Sequence, residues 1–143
     1  MSRIRGADTA RMLVFVVLLC CLLCCGAGGQ EAALTLTLTV ARAPAPGEAI
    51  RVRVSAGVLP HGARIIVRTA DGKIAGAVAP YGIPPGSKAG VYTIPIPAQE
   101  VKDGKLSLSF ELKDRYGSVR APTRDEVEGA EVVLLPVSKP PNK

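Results

Sequence analysis

Leu34-Thr35-Leu36-Thr37-Leu38-Thr39-Val40 alternates apolar residues with threonine at a strict period of two. Successive side chains of a strand point to opposite faces, so the three leucines and Val40 share one side and the three threonines the other. This spacing predicts a β-strand with one buried and one solvated face. A strand of that kind needs partners, and the chain downstream repeats the signal.

Residues 41–49 (ARAPAPGEA) break the alternation with two prolines and a glycine, and Ile50-Arg51-Val52-Arg53-Val54-Ser55 resumes it as a second strand. Residues 58–63 (VLPHGA) form the next turn. Ala63 to Thr69 reads as a third strand, and Asp71-Gly72 is a tight hairpin signal that makes Lys73 to Ala79 its partner. Residues 80–90 (PYGIPPGSKAG) hold three prolines and three glycines, which predicts a long loop without a regular ladder. Val91 to Ile96 follows as an edge strand, because Pro95 lacks a donor. Residues 98–104 (AQEVKDG) make a short connection with room for one helical turn. Lys105 to Lys113 places Leu106, Leu108, Phe110 and Leu112 on one face and reads as a central strand. Thr123-Arg124-Asp125-Glu126 matches a capping box that would start a helical turn, and Glu131 to Val137 closes the domain.

Seven short strands, frequent turns and no long helical period argue for an all-β antiparallel sandwich over residues 33–137, with residues 138–143 as a disordered polar tail. From Leu34 to Val137 the pattern resembles the bacterial immunoglobulin-like and fibronectin type III-like modules. That resemblance implies an immunoglobulin-like sandwich of about seven strands. The chain has no Trp, and its four cysteines lie outside this span, so the Cys…Trp…Cys hallmark of antibody domains is absent. Of the 143 residues 48% are hydrophobic but only 3% aromatic, so the core must be built from Val, Leu, Ile and Ala. Fifteen Gly and twelve Pro supply the turns.

The first 29 residues follow different rules. Arg3, Arg5 and Arg11 precede an uncharged run from Met12 to Gly29 that ends in small residues, the layout of a secretory signal. Its apolar stretch MLVFVVLLCCLLCC is shorter than the roughly 20 residues of a bilayer-spanning helix, so a signal peptide is favoured over an uncleaved membrane anchor. Cleavage after Ala27 or Gly29 would meet the small-residue requirement. Cys20, Cys21, Cys24 and Cys25 all fall here, and as small hydrophobic fillers they leave the domain without a thiol or a disulfide framework. Leu22-Leu23-Cys24-Cys25-Gly26 resembles a bacterial lipobox, which makes Cys25 the lipidation candidate. Cys24 stands where that motif normally has Gly, Ala or Ser. The expected compartment is therefore the periplasm or the exterior, with membrane contact only through this segment. Removing its three Arg and one Asp from the chain's 18 basic and 12 acidic residues leaves a net charge of about +4. In an exported protein that balance points to anionic envelope surfaces rather than nucleic acid.

Candidate chemistry is sparse. His61 is the single histidine and falls in a turn, with no partners in sequence for a metal site or a triad. No Gly-x-Ser-x-Gly elbow occurs, and residues 84–90 (PPGSKAG) lack the Gly-Lys-Ser/Thr end of a phosphate loop. No enzyme activity, metal or cofactor is expected. Two surface features are binding candidates. Arg51, Arg53, Arg64 and Arg68 alternate with apolar positions and are expected to form a basic stripe on the outer face of the sheet. Tyr81 and Ile83 sit in the proline-rich loop, with Tyr92 and Tyr116 as aromatic neighbours. The expected function is a non-enzymatic envelope module that binds an envelope protein or an anionic envelope surface. The alternative is a periplasmic carrier or chaperone-like accessory that offers the Val91 to Ile96 edge to an extended partner.

Overall fold

Alternating strands joined by glycine and proline turns build two antiparallel sheets in the computed structural model, which describes residues 32–137. The expected signal or anchor over residues 1–29, the lipidation candidate Cys25 and the tail 138–143 lie outside the described residues. Eight strands follow in order: β1 (Leu34–Thr39), β2 (Glu48–Val58), β3 (Arg64–Thr69), β4 (Ile74–Val78), β5 (Lys88–Ile96), β6 (Lys105–Lys113), β7 (Val119–Arg120) and β8 (Val127–Pro136). One sheet has the order β1-β6-β3-β4, with the short β7 also on β6; the other has the order β5-β2-β8.

The apolar side of every long strand turns inward. On β6 Leu106, Leu108, Phe110 and Leu112 are buried, and Ile65, Val67 and Val78 join them from the same sheet. Ile50, Val52, Val54, Ile94 and Ile96 close the core from the other sheet. Each fully buried aliphatic side chain contributes about 1.5–3 kcal/mol relative to exposure, so this alternation carries most of the fold's stabilisation. On β1 the leucines are only half-buried, since the strand lies at a sheet edge.

Several strands differ from the sequence expectation in extent. β2 is longer than its alternating run because β5 and β8 pair with it on both sides and draw Glu48, Ala49 and Val58 into the ladder. β5 begins at Lys88 rather than Val91, and Gly90 stays in register opposite Ala56, so the loop ends three residues early. Pro95 does occupy an edge strand. β8 begins at Val127, and the two-residue β7 is an eighth strand with too little sequence to carry a period.

Two connections were each expected to hold a single helical turn, and both do. Residues 98–104 contain a single 3-10 turn, Ala98–Glu100. Thr123 to Glu126 makes one such turn and goes no further: the Thr123 carbonyl accepts the N–H groups of Glu126 and Val127, at 3.1 and 3.0 Å, and the chain then passes into β8. The capping contact itself is present, with the Glu126 carboxylate accepting the Thr123 N–H at 2.8 Å.

Candidate functional site

Three connections gather at one end of the two sheets. They are residues 59–63 between β2 and β3, residues 79–87 between β4 and β5, and residues 114–118 between β6 and β7. The register places them together: Val58 pairs with Lys88, Ile65 with Val78, and Arg64 with Lys113. β1 also starts toward this end, since Leu34 pairs with Phe110 near the close of β6.

Each connection is held by its own short bonds. Asp114 accepts the N–H groups of Tyr116 and Ser118 through Oδ1, at 2.8 and 2.9 Å, which shapes the third turn. The Ala63 N–H bonds the Pro60 carbonyl at 2.9 Å in the first, and the Ser87 N–H bonds the Pro84 carbonyl at 3.1 Å in the second. The Arg115 side chain lies against Gly62, so the first and third connections touch.

Tyr81 is 87% exposed and Tyr116 78% exposed. The Arg115 guanidinium stacks over the Tyr116 ring at 4.6 Å from its centre, a cation–π contact that pre-orients both groups. Ile83 and Tyr92 behave differently: both are half-buried and pack on the core, Tyr92 from the inward face of β5. The four aromatic-loop candidates thus split into two exposed tyrosines and two core-covering residues.

The expected basic stripe does not form as one surface. Arg51 and Arg53 project from β2, Arg64 and Arg68 from β3, and these strands belong to different sheets whose outer faces point away from each other. Alternation is blind to a crossover between sheets. Arg53 pairs with Glu131 at 3.3 Å, and Arg68 with Glu111 at 3.1 Å. Arg51 lies between Pro95 and Val133, with its Nε shielded and without a hydrogen-bond partner among the described residues. Arg64 alone joins the loop end.

There it meets cations that the sequence pattern did not single out. Among the described residues, Arg64, Lys113, Arg115 and Arg124 form no ion pair, whereas Lys88 pairs with Glu128 and Arg120 with Glu126. The remaining carboxylates at this end are Asp114, engaged by backbone N–H groups, and Asp125. The signal for this cluster was three-dimensional, because its members come from four separate turns or strand ends.

A recess of about 250 Å³ opens between the first two connections, lined by His61, Gly62, Arg64, Pro80, Tyr81 and Ile83 among others, and a smaller one of about 90 Å³ adjoins it. His61 is exposed in its turn and borders both, but no carboxylate lines either recess. Among the described residues, no group of three His, Cys, Asp or Glu side chains converges on a metal-sized site. At the opposite end a recess of about 370 Å³ is lined by Val40, Ala43, Pro44, Ile50, Ala98 and Val101, with Arg42 at its rim. Arg42 is already committed there, through a two-pronged bond to Glu48 at 2.6 and 2.8 Å. Comparison with family models, with curated proteins and with solved structures gives no match to this chain.

Proposed function

We propose that this chain is an exported, non-enzymatic binding module that applies its three-connection end to an anionic envelope surface. The observation that carries the reading is the pairing of two exposed tyrosines, Tyr81 and Tyr116, with the unpaired cations Arg64, Lys113, Arg115 and Arg124 at one end. Tyrosine rings favour the boundary between water and acyl chain, and each Lys or Arg near an anionic leaflet contributes about 1 kcal/mol. Four free cations against two carboxylates therefore support weak, reversible, salt-sensitive adhesion.

The immunoglobulin-like reading of the sandwich belongs with this proposal. β2 and β5 share one sheet and β3 and β6 the other, the division made by strands B and E against C and F in immunoglobulin domains. Here the first strand joins β6 and the last joins β2, so the outer strands are exchanged relative to that order. The carrier reading is less well supported, because Pro95 removes a donor from the β5 edge on which it depends.

The chain has three tyrosines and no tryptophan, so its intrinsic fluorescence reports the proposed contact directly. Full-length protein reconstituted with vesicles carrying headgroup-level quenchers should show Tyr81 and Tyr116 quenched when phosphatidylglycerol is abundant. The quenching should fall in pure phosphatidylcholine and at high salt. Equal quenching in neutral and anionic vesicles, or none in either, would defeat the proposal. Capture of an envelope protein without lipid dependence would replace the surface with a protein partner. The intact mass of protein recovered from envelope fractions tests export, since a start near Gln30 marks cleavage and an acylated Cys25 marks a lipoprotein.

A further inference from the structure

We propose that β1 is a self-pairing edge, through which two copies of this chain join antiparallel across a two-fold axis. The proposal does not depend on the loop-end reading, because β1's free edge is a separate surface.

The edges of the two sheets are not alike. β5 carries Lys88, Gly90 and Pro95; β8 carries Glu128, Gly129, Glu131 and Pro136. β4 is five residues long with Gly76 at its centre, and its register with β3 shifts once. These are the usual devices that stop an edge from recruiting another strand. β1 has none of them. Its six residues hold no charge, proline or glycine, and they pair with β6 in unbroken register. Among the described residues nothing pairs with its other side, where alternate N–H and C=O groups point outward.

The pattern also names the partner. Antiparallel pairing of β1 with its own copy keeps leucine beside leucine and threonine beside threonine only when the two-fold axis passes a residue rather than a point between two, and the overlap is longest when that residue is Leu36 or Thr37. An axis between those two residues would put leucine opposite threonine and turn one core face to water, so it is disfavoured. In the allowed registers the half-buried Leu34, Leu36 and Leu38 of each copy cover one another. Their threonines continue a hydroxyl face that already includes Thr37 Oγ1 at 3.3 Å from Ser107 Oγ. Neither strand brings a charge to oppose its copy. The result is one continuous sheet running β4-β3-β6-β1 and back through the second copy, with an isologous interface.

The area is small. Strands of six residues span roughly 20 Å and bury less than the ~1,200 Å² at which stable interfaces begin, so the dimer is reversible. Attachment of both copies to one surface would raise their effective concentration and favour it.

Sedimentation velocity of the full chain in detergent micelles, over a wide range of protein-to-detergent ratios, tests the contact. Thr37 is exposed, so Thr37→Lys and Thr37→Glu keep the fold, which circular dichroism checks. We expect the native chain to dimerise reversibly and each variant alone to dimerise about tenfold more weakly, from like charges facing across the axis. An equimolar mixture of the two variants should regain the dimer, and Thr35→Lys with Thr35→Glu should repeat the pattern. A native chain that stays monomeric throughout overturns the proposal. So does a dimer indifferent to the charge at position 37, which would place the contact in the N-terminal segment or elsewhere.

Discussion

The Glu126 carboxylate accepts from both terminal guanidinium nitrogens of Arg120, at 2.6 and 2.8 Å, across the crossover that carries the chain from β7 in one sheet to β8 in the other. The same carboxylate accepts the Thr123 N–H at 2.8 Å, so one side chain closes the turn and ties its two ends together. Glu126 is 7% exposed, the most deeply buried charged residue among the described residues. Its burial is tolerated because the charge is met by a bidentate cation and by backbone.

Removing either partner should therefore cost more than a surface ion pair does. Arg120→Ala leaves a buried carboxylate with a single donor, and Glu126→Ala leaves the Thr123 N–H unmet and the guanidinium without its carboxylate, holding only the Ala121 carbonyl. Each should lower unfolding free energy by about 2 kcal/mol or more. Urea denaturation would show a shifted midpoint at an unchanged slope. The exposed Arg53–Glu131 pair offers the contrast, and Arg53→Ala should change stability by less than about 1 kcal/mol.

Acid sensitivity follows from the same residues. Arg42 holds the Glu48 carboxyl down from its ordinary 4.5 to about 2, aided by the Ala45 N–H. Lys73, with Thr69, lowers Asp71 from 3.8 to about 2. Arg120 lowers Glu126 against the opposing effect of burial. These groups bind fewer protons folded than unfolded, so their stabilisation is complete above their ordinary values and is lost as pH falls through the folded ones. The melting temperature should hold down to about pH 5 and decline between about 4.5 and 2. Glu126→Gln should make that decline shallower.

Tyr81 and Ile83 lie two residues apart in one loop and should separate cleanly by stability. Tyr81 is solvent-exposed, so Tyr81→Ala should change unfolding free energy by less than about 0.5 kcal/mol while reducing vesicle-dependent quenching. Ile83 packs on the core, so Ile83→Ala should cost about 1–2 kcal/mol. Thermal melts of both variants decide this. A costly Tyr81→Ala would make the tyrosine structural and weaken the adhesion reading.

Gly57 is the position least able to accept a side chain. A Cβ there would stand 1.9 Å from the Asp125 carbonyl oxygen, which is backbone and held by the neighbouring bond from the Gly57 N–H to the Glu126 carbonyl. Gly57→Ala must displace the β7–β8 crossover and should abolish cooperative unfolding or destabilise strongly. By contrast, at Gly76 the nearest atom is the Ile94 side chain, at 2.8 Å. Gly76→Ala should be partly rescued by Ile94→Ala, read as a double-mutant cycle.

Period-two alternation made β1, β3 and β6 legible almost residue by residue, because each has one apolar and one polar side. Asp71-Gly72 was legible for the same local reason: Gly72 adopts φ +82°, which the hairpin requires. The ends of β2, β5 and β8 were not, because they extend through residues such as Glu48, Gly90 and Gly129 that pair only when a neighbouring strand is already there. Of the binding candidates, Tyr81 and Tyr116 stand exposed, while Ile83 and Tyr92 pack on the core. Exposure depends on what packs nearby, and spacing does not record that.

The sequence by itself determined that the described chain is all-β, which strands have a buried side, and where most turns fall. These are properties of local alternation and turn chemistry, felt within a few residues. Only the tertiary structure decided which strands share a sheet. That division separated the arginines of β2 from those of β3, gathered Arg64, Lys113, Arg115 and Arg124 at one end, and left β1 with an open edge. Sheet membership is set by pairing between segments far apart in sequence, where burial and backbone bonding across the whole core outweigh any local preference.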